Sequence, residues 1–253
     1  MSPSLIRFLA LYGRETLRFR KLWLDTLLSP IVSAFLYLLV FGAVNGGRAI
    51  EGVPYGAFVY GGLMTMLLTN ASFSNPSFAL VISKNTGTIV DLYLAPIRAS
   101  LIGLAYAGAA VTRALLTLTA ALLMTGWFIE GLRFTHPLWL ALGILLTSST
   151  FAFIGVTFGA KTKGFESMTF ATTFVLQPMI FLSGAFYPIS TLPKPWDTIS
   201  AFNPLHHFVN LIRYGFTSYS DIAPLTSLVV ALIFTVVTGL IMAFVIQKTL
   251  KSE

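Results

Sequence analysis

Hydrophobic positions run along this chain in long blocks, and charged positions fall almost entirely between them. Charge-free runs cover residues 26–47, 52–83, 134–160, 167–193 and 222–247. Each exceeds the roughly 18–20 apolar residues that carry an α-helix across a bilayer. A sixth run, 99–129, is apolar apart from Arg113, Glu130 and Arg133 lying beyond it. One arginine at a helix centre costs about 2.5–3.5 kcal/mol, whereas each Leu, Ile, Phe or Val returns about 0.3–0.6 kcal/mol, so this run inserts too. The pattern predicts six membrane-spanning helices. Ahead of the first, Leu5, Leu9, Tyr12, Thr16, Phe19 and Trp23 recur at spacings of four and three, with Arg7, Arg14, Arg18 and Lys21 opposite. Residues 4–23 therefore read as an amphipathic helix lying on one leaflet. Ser29 and Pro30 mark the cap and first turn at which the chain bends into the first span.

Two segments between spans stand apart. Residues 184–216 are dense in proline and aromatics, with Tyr187, Pro188, Trp196, Phe202, Phe208 and Tyr214. Such side chains suit the headgroup boundary. Pro204 directly after Asn203 is a helix-start signal, because Asn caps and Pro fits the first helical position. This segment is expected to fold as short helices in a re-entrant hairpin between spans five and six. Residues 84–97 are short and of mixed polarity, ending near Pro96, and predict one brief helix parallel to the membrane.

Composition agrees with a polytopic membrane protein: 56% of residues are hydrophobic and 10% charged, with a mean hydropathy of +0.82. Arg7, Arg14, Arg18, Arg20, Lys21, Lys84, Arg98, Arg113, Lys161, Lys163, Lys248 and Lys251 fall on one side of the predicted topology. Only Arg48, Arg133, Lys194 and Arg213 fall on the other. The positive-inside bias then places both termini in the cytoplasm and the 184–216 hairpin outside. The net charge of +7 is thus a topology signal; with no basic stripe on a soluble domain, no nucleic-acid partner is expected. No cleavable signal peptide is expected, and the first span should serve as the anchor. The chain has no cysteine, which excludes disulfides, thiolate metal sites and thiol nucleophiles. One all-helical domain over residues 1–253 accounts for the whole pattern.

Catalytic chemistry finds no support in the spans. Their charge-free runs contain no carboxylate to pair with a base, as an intramembrane hydrolase would need. His206 and His207 are adjacent, so on a helix they point about 100° apart; no metal site is expected. Polar groups inside spans are costly and tend to face protein or water. Asn70, Ser74 and Ser77 share a face of the second span, and Thr173 and Gln177 lie in the fifth, where Pro178 should kink the helix; these mark a candidate substrate path. Gly155 and Gly159 form a GxxxG that reads as close helix packing. Arg113 reads mainly as a structural residue that snorkels toward the surface, with contact to a lipid phosphate or substrate as the other possibility.

With these features in order, the chain resembles the ABC-2 type permease family, membrane subunits of bacterial ATP-driven exporters. The resemblance rests on the basic amino-terminal helix, the G-T-x-x-D-L-x-L-A-P-I pattern from Gly87 to Ile97, Arg113 early in the third span, and the hairpin with Gly184, Tyr187, Pro188, Pro193, Trp196, Asn203, Pro204 and Arg213. It implies that Lys84, Gly87, Thr88, Asp91, Leu94 and Pro96 belong to a coupling helix docking on a separate ATPase. It further implies two permease protomers, most simply a homodimer, working with two ATPase subunits in the bacterial inner membrane, and an outer gate built from the hairpin. No GxxxxGK[ST] loop occurs in this chain, so ATP and Mg would be bound by the partner. The cargo class left open is lipid-linked, saccharide or hydrophobic. The alternative is a secondary transporter or channel without an ATPase.

Overall fold

The computed structural model describes residues 3–18, 28–44, 47–95, 97–162 and 164–251. Eleven α-helices are seen among these residues, with one two-stranded ribbon: α1 (Pro3–Arg18), α2 (Ser29–Val44), β1 (Ala49–Ile50), β2 (Val53–Pro54), α3 (Tyr55–Asn85), α4 (Ile89–Leu94), α5 (Ala99–Thr125), α6 (Pro137–Lys161), α7 (Phe165–Phe170), α8 (Gln177–Phe181), α9 (Trp196–Ala201), α10 (Pro204–Thr217) and α11 (Pro224–Lys251). Among the described residues, three helices are long and apolar enough to cross a membrane: α5 with its 3-10 extension to Phe128, α6 and α11. α2 is apolar but only 16 residues long, and Leu28 ahead of it is already helical, so Ser29 lies within the helix and does not cap it. α3, at 31 residues, has the length, about 46 Å of axis. Its threonines, serines and asparagines lower its hydropathy.

The run 167–193 departs from a simple span. Its helical path ends at Phe181, passing from α7 through a π-helical segment (Ala171–Leu176) into α8. Pro178 has no N–H to donate to the preceding turn, and a π-bulge just ahead of it absorbs that loss. Between α2 and α3, at the break that Arg48 and Glu51 make between the first two apolar runs, lies a ribbon. Glu51 (φ 47°) and Gly52 (φ 83°) supply the two left-handed residues that a tight hairpin requires.

α1 is helical as expected, although Phe19, Lys21 and Trp23 lie outside the described residues. The face it turns to the protein carries Phe8, Leu11, Tyr12 and Glu15 rather than the whole Leu5–Leu9–Tyr12–Thr16 stripe. Leu5 and Leu9 are each 43% exposed. The helix is two-sided: Tyr12 Oη pairs with Thr112 Oγ1 at 2.7 Å on α5, while Leu5 and Leu9 stay exposed on the other face.

α3 and α6 form the centre. A Cβ at Gly159 would stand 2.8 Å from Ser77 Cα, and one at Gly155 would stand 2.9 Å from Pro76 Cγ. The GxxxG therefore joins two helices of one chain. Ser77 Oγ donates within this seam, lying 2.7 Å from both Phe73 O and Gly155 O. α5 closes on α3 and α6, α11 packs on α6, and α10 inserts among α3, α6 and α11.

Candidate functional site

Among the described residues, the candidates named from sequence fall in three places. The first is the foot of α3. Gly87, at φ +74°, takes the left-handed conformation that lets the chain turn out of α3 into α4. Lys84 Nζ folds back to the carbonyls of Ala160 and Thr162, the latter at 3.0 Å, tying this end of α3 to the end of α6. Thr86 Oγ1 and Thr88 Oγ1 pair at 3.0 Å across the turn. α4 then buries Leu92 and exposes Val90 and Asp91. Of the coupling residues named from sequence, Lys84, Gly87, Thr88 and Asp91 come together here. Leu94 closes α4, its side chain outside the description, and Pro96 lies outside the described residues.

The second is a cavity of about 650 Å³ bounded by α2, α3, α5 and α8, with Ser33, Tyr37, Asn70, Ser74, Arg113 and Gln177 on its walls. It unites three residues of the sequence-derived path, Asn70, Ser74 and Gln177. Ser77 is not among them, being spent in the α3–α6 seam, and Thr173 is exposed on the π-helical segment. The π turn rotates the residues that follow it, which carries Gln177 inward and leaves Thr173 outside. Ser33 and Tyr37 of α2 are additions that a search for amides and hydroxyls in the second and fifth spans alone misses.

The third lies at the opposite end of α3. Asn203 caps α10 as its pairing with Pro204 implied, its Oδ1 accepting from Leu205 N at 3.0 Å while Nδ2 donates to Met179 O at 2.6 Å. Tyr187 Oη donates to Phe181 O at 2.6 Å, closing the turn before Pro188. Trp196 is 48% exposed on α9. Arg213, counted from sequence as an outer loop cation, is instead completely buried. Its Nη2 donates to Gly184 O at 2.6 Å and Ala185 O at 3.2 Å, its Nε to Phe58 O at 3.2 Å, and its Nη1 to Asp221 Oδ2 at 3.1 Å. Cζ sits 3.7 Å from the Phe58 ring centroid. Every face of the guanidinium is occupied, as a buried cation requires.

Asp221 in turn accepts from Tyr219 Oη at 2.8 Å, and its N–H donates to Asn210 Oδ1 at 2.9 Å. Burial, followed by that bond to Asp221, raises the Tyr219 hydroxyl above the ordinary phenol range. His206 and His207 serve separate neighbours, Ser183 O at 3.1 Å and Ser227 Oγ at 3.3 Å. Burial above all lowers the affinity of both rings for a proton. Gly62 lets the turn after α8 approach α3, because a Cβ there would overlap the Ala185 carbonyl. Asp221, Phe58 and Gly62 were missed from sequence. A signal existed for Asp221, the only carboxylate between Asp197 and the end of α11 and eight residues beyond Arg213.

Comparison with known proteins bears on this arrangement. Residues 6–217 match the family described as ABC-2 type transporter. The inner membrane transport permease YadH of Escherichia coli strain K12 is 30% identical over 243 residues, covering 94% of each chain. Nodulation protein J of Rhizobium leguminosarum bv. viciae is 31% identical over 217 residues, 82% of this chain and 81% of its own.

Proposed function

The chain belongs to the ABC-2 type transporter family, and from that we propose that it is the permease subunit of an exporter driven by a separate ATP-binding-cassette ATPase. The observation carrying this reading is α3 itself. One unbroken helix has the exposed α4 segment at its foot and the Arg213-held turn at its head, with the cavity along its flank. A push on α4 at Val90 and Asp91 would reach α3 through the short Gly87 turn. The Gly62 and Arg213 contacts would carry the motion of α3 into residues 184–216.

In this reading α2, α3, α5, α6, the α7–α8 path and α11 are six spans in a bacterial inner membrane, with both termini cytoplasmic. Residues 184–216 form an outward-facing re-entrant hairpin and gate. Two protomers, most simply identical, work with two ATPase subunits that bind the ATP and Mg. The cargo is an amphipathic lipid-linked, saccharide or hydrophobic molecule, which suits a cavity whose hydroxyls and amides stand among apolar walls.

The test is co-purification of the tagged chain in mild detergent, with assay for vanadate-sensitive ATP hydrolysis. A stoichiometric ATPase subunit with activity is expected. Gly87→Pro, which cannot adopt the positive φ of that turn, should retain insertion and lose at least most of the ATPase co-purification or its stimulation; Asp91→Arg should do the same by reversing charge on the docking face. A stable permease that recruits no ATPase would instead favour a secondary transporter or channel.

A further inference from the structure

Where α1 crosses α5, a separate small cavity of about 170 Å³ opens between α1, α3 and α5, its walls including Glu15, Arg18, Asn75, Tyr106 and Arg113. Among the described residues its lining holds two arginines and one carboxylate. Glu15, whose side chain is only 7% exposed, contacts Arg14 Nη2 at 3.0 Å and Arg18 Nη1 at 3.7 Å. Arg14 also reaches Tyr106 Oη at 3.4 Å, and Arg113 bears on the same space. Arg18 and Arg113 thus line the cavity together with Glu15, and Arg14 lies behind Glu15 at its edge. The Arg18 contact is too long for a hydrogen bond, so its donors can turn into the cavity without breaking one to Glu15. Asn75 adds a second and independent observation: its Nδ2 is buried with no hydrogen-bond acceptor among the described residues. A buried amide donor without an acceptor is costly, and an entering oxyanion removes that cost.

We propose that this cavity binds the phosphate group of an anionic amphiphile. Guanidinium groups hold phosphate oxygens by paired, charge-assisted hydrogen bonds, and the volume suits a headgroup anion better than a saccharide or a hydrocarbon chain. The location fits as well. α1 presents Leu5, Leu9 and Leu17 outward, at 43%, 43% and 63% exposure, which sets the cavity at headgroup depth on the leaflet where α1 lies. Ser74, Asn75, Phe78 and Arg113 also line the 650 Å³ cavity, so a bound phosphate would sit at the mouth of the larger space. The site follows from the geometry of this chain alone and needs neither an ATPase nor transport.

The experiment uses the purified full-length permease in neutral detergent. Binding is titrated by intrinsic fluorescence with phosphatidylglycerol against phosphatidylcholine in mixed micelles, and separately with inorganic phosphate and pyrophosphate at constant ionic strength. Saturable binding of phosphatidylglycerol, absent with phosphatidylcholine and weakened about tenfold in Arg18→Gln and Arg113→Gln, is expected from the loss of one charge-assisted contact. Asn75→Leu should weaken it in the same direction. Binding of pyrophosphate with the same dependence on these residues would support the site and assign it to a soluble phosphate. The proposal is overturned if neither class binds, or if binding is unchanged in Arg18→Gln, a variant at a partly exposed position that belongs to no core cluster.

Discussion

Arg213 concentrates the consequences of burying a charge. Its contacts with Phe58, Gly184, Ala185 and Asp221 offset the desolvation of the guanidinium only while all are present. Arg213→Met strands Asp221 and three carbonyls. The expected loss is about 3–5 kcal/mol of stability, the range for breaking a buried pair from one side, read as a lower unfolding midpoint in detergent. Asp221→Asn should lose a similar amount by stranding the cation. The double variant Arg213→Met with Asp221→Leu should lose less than the two single losses combined, because both charges leave together. Additive losses would show that the two side chains do not act as one unit.

At the scale of elements, close approach along α3 is set by small residues. Gly62 admits the Ala185 carbonyl, Gly61 admits Arg213, and Gly155 and Gly159 let α6 lie against Phe73, Pro76 and Ser77. Gly62→Ala should therefore cost about 1–3 kcal/mol through overpacking, although alanine is the better helix former by about 1 kcal/mol. Gly13→Ala, with nothing within 4 Å of the added methyl, should be neutral or stabilising. Unfolding midpoints of the two variants test this; a neutral Gly62→Ala would mean that the turn at 182–187 is not held against α3. The helix-start signal at Asn203-Pro204 was readable because capping depends on neighbouring residues alone. The end of α8 and the π segment were not, since an apolar run has the same hydropathy whether it continues as helix or turns at Ser183 and Gly184.

For the whole molecule, the absence of cysteine makes the proposed orientation directly measurable with single introduced thiols. Glu130, Lys194 and Asp91 are all exposed. Glu130→Cys and Lys194→Cys should react with an impermeant maleimide on intact spheroplasts, and Asp91→Cys only after permeabilisation. The reverse pattern would invert the topology and move α4 away from any cytoplasmic ATPase. Sequence by itself determined the apolar helical character, the amphipathic first helix, the cap at Asn203 and the residues through which the family is identified, because these depend on local periodicity and composition. Only the tertiary structure decided that Arg213 is interior, that Ser77 belongs to a packing seam while Asn70, Ser74 and Gln177 face one cavity, and that Glu15, Arg18, Asn75 and Arg113 meet. Those facts depend on which helices touch and with what rotation, and in this chain backbone contacts at glycine and the turn of a π-bulge set that rotation without leaving a mark in hydropathy.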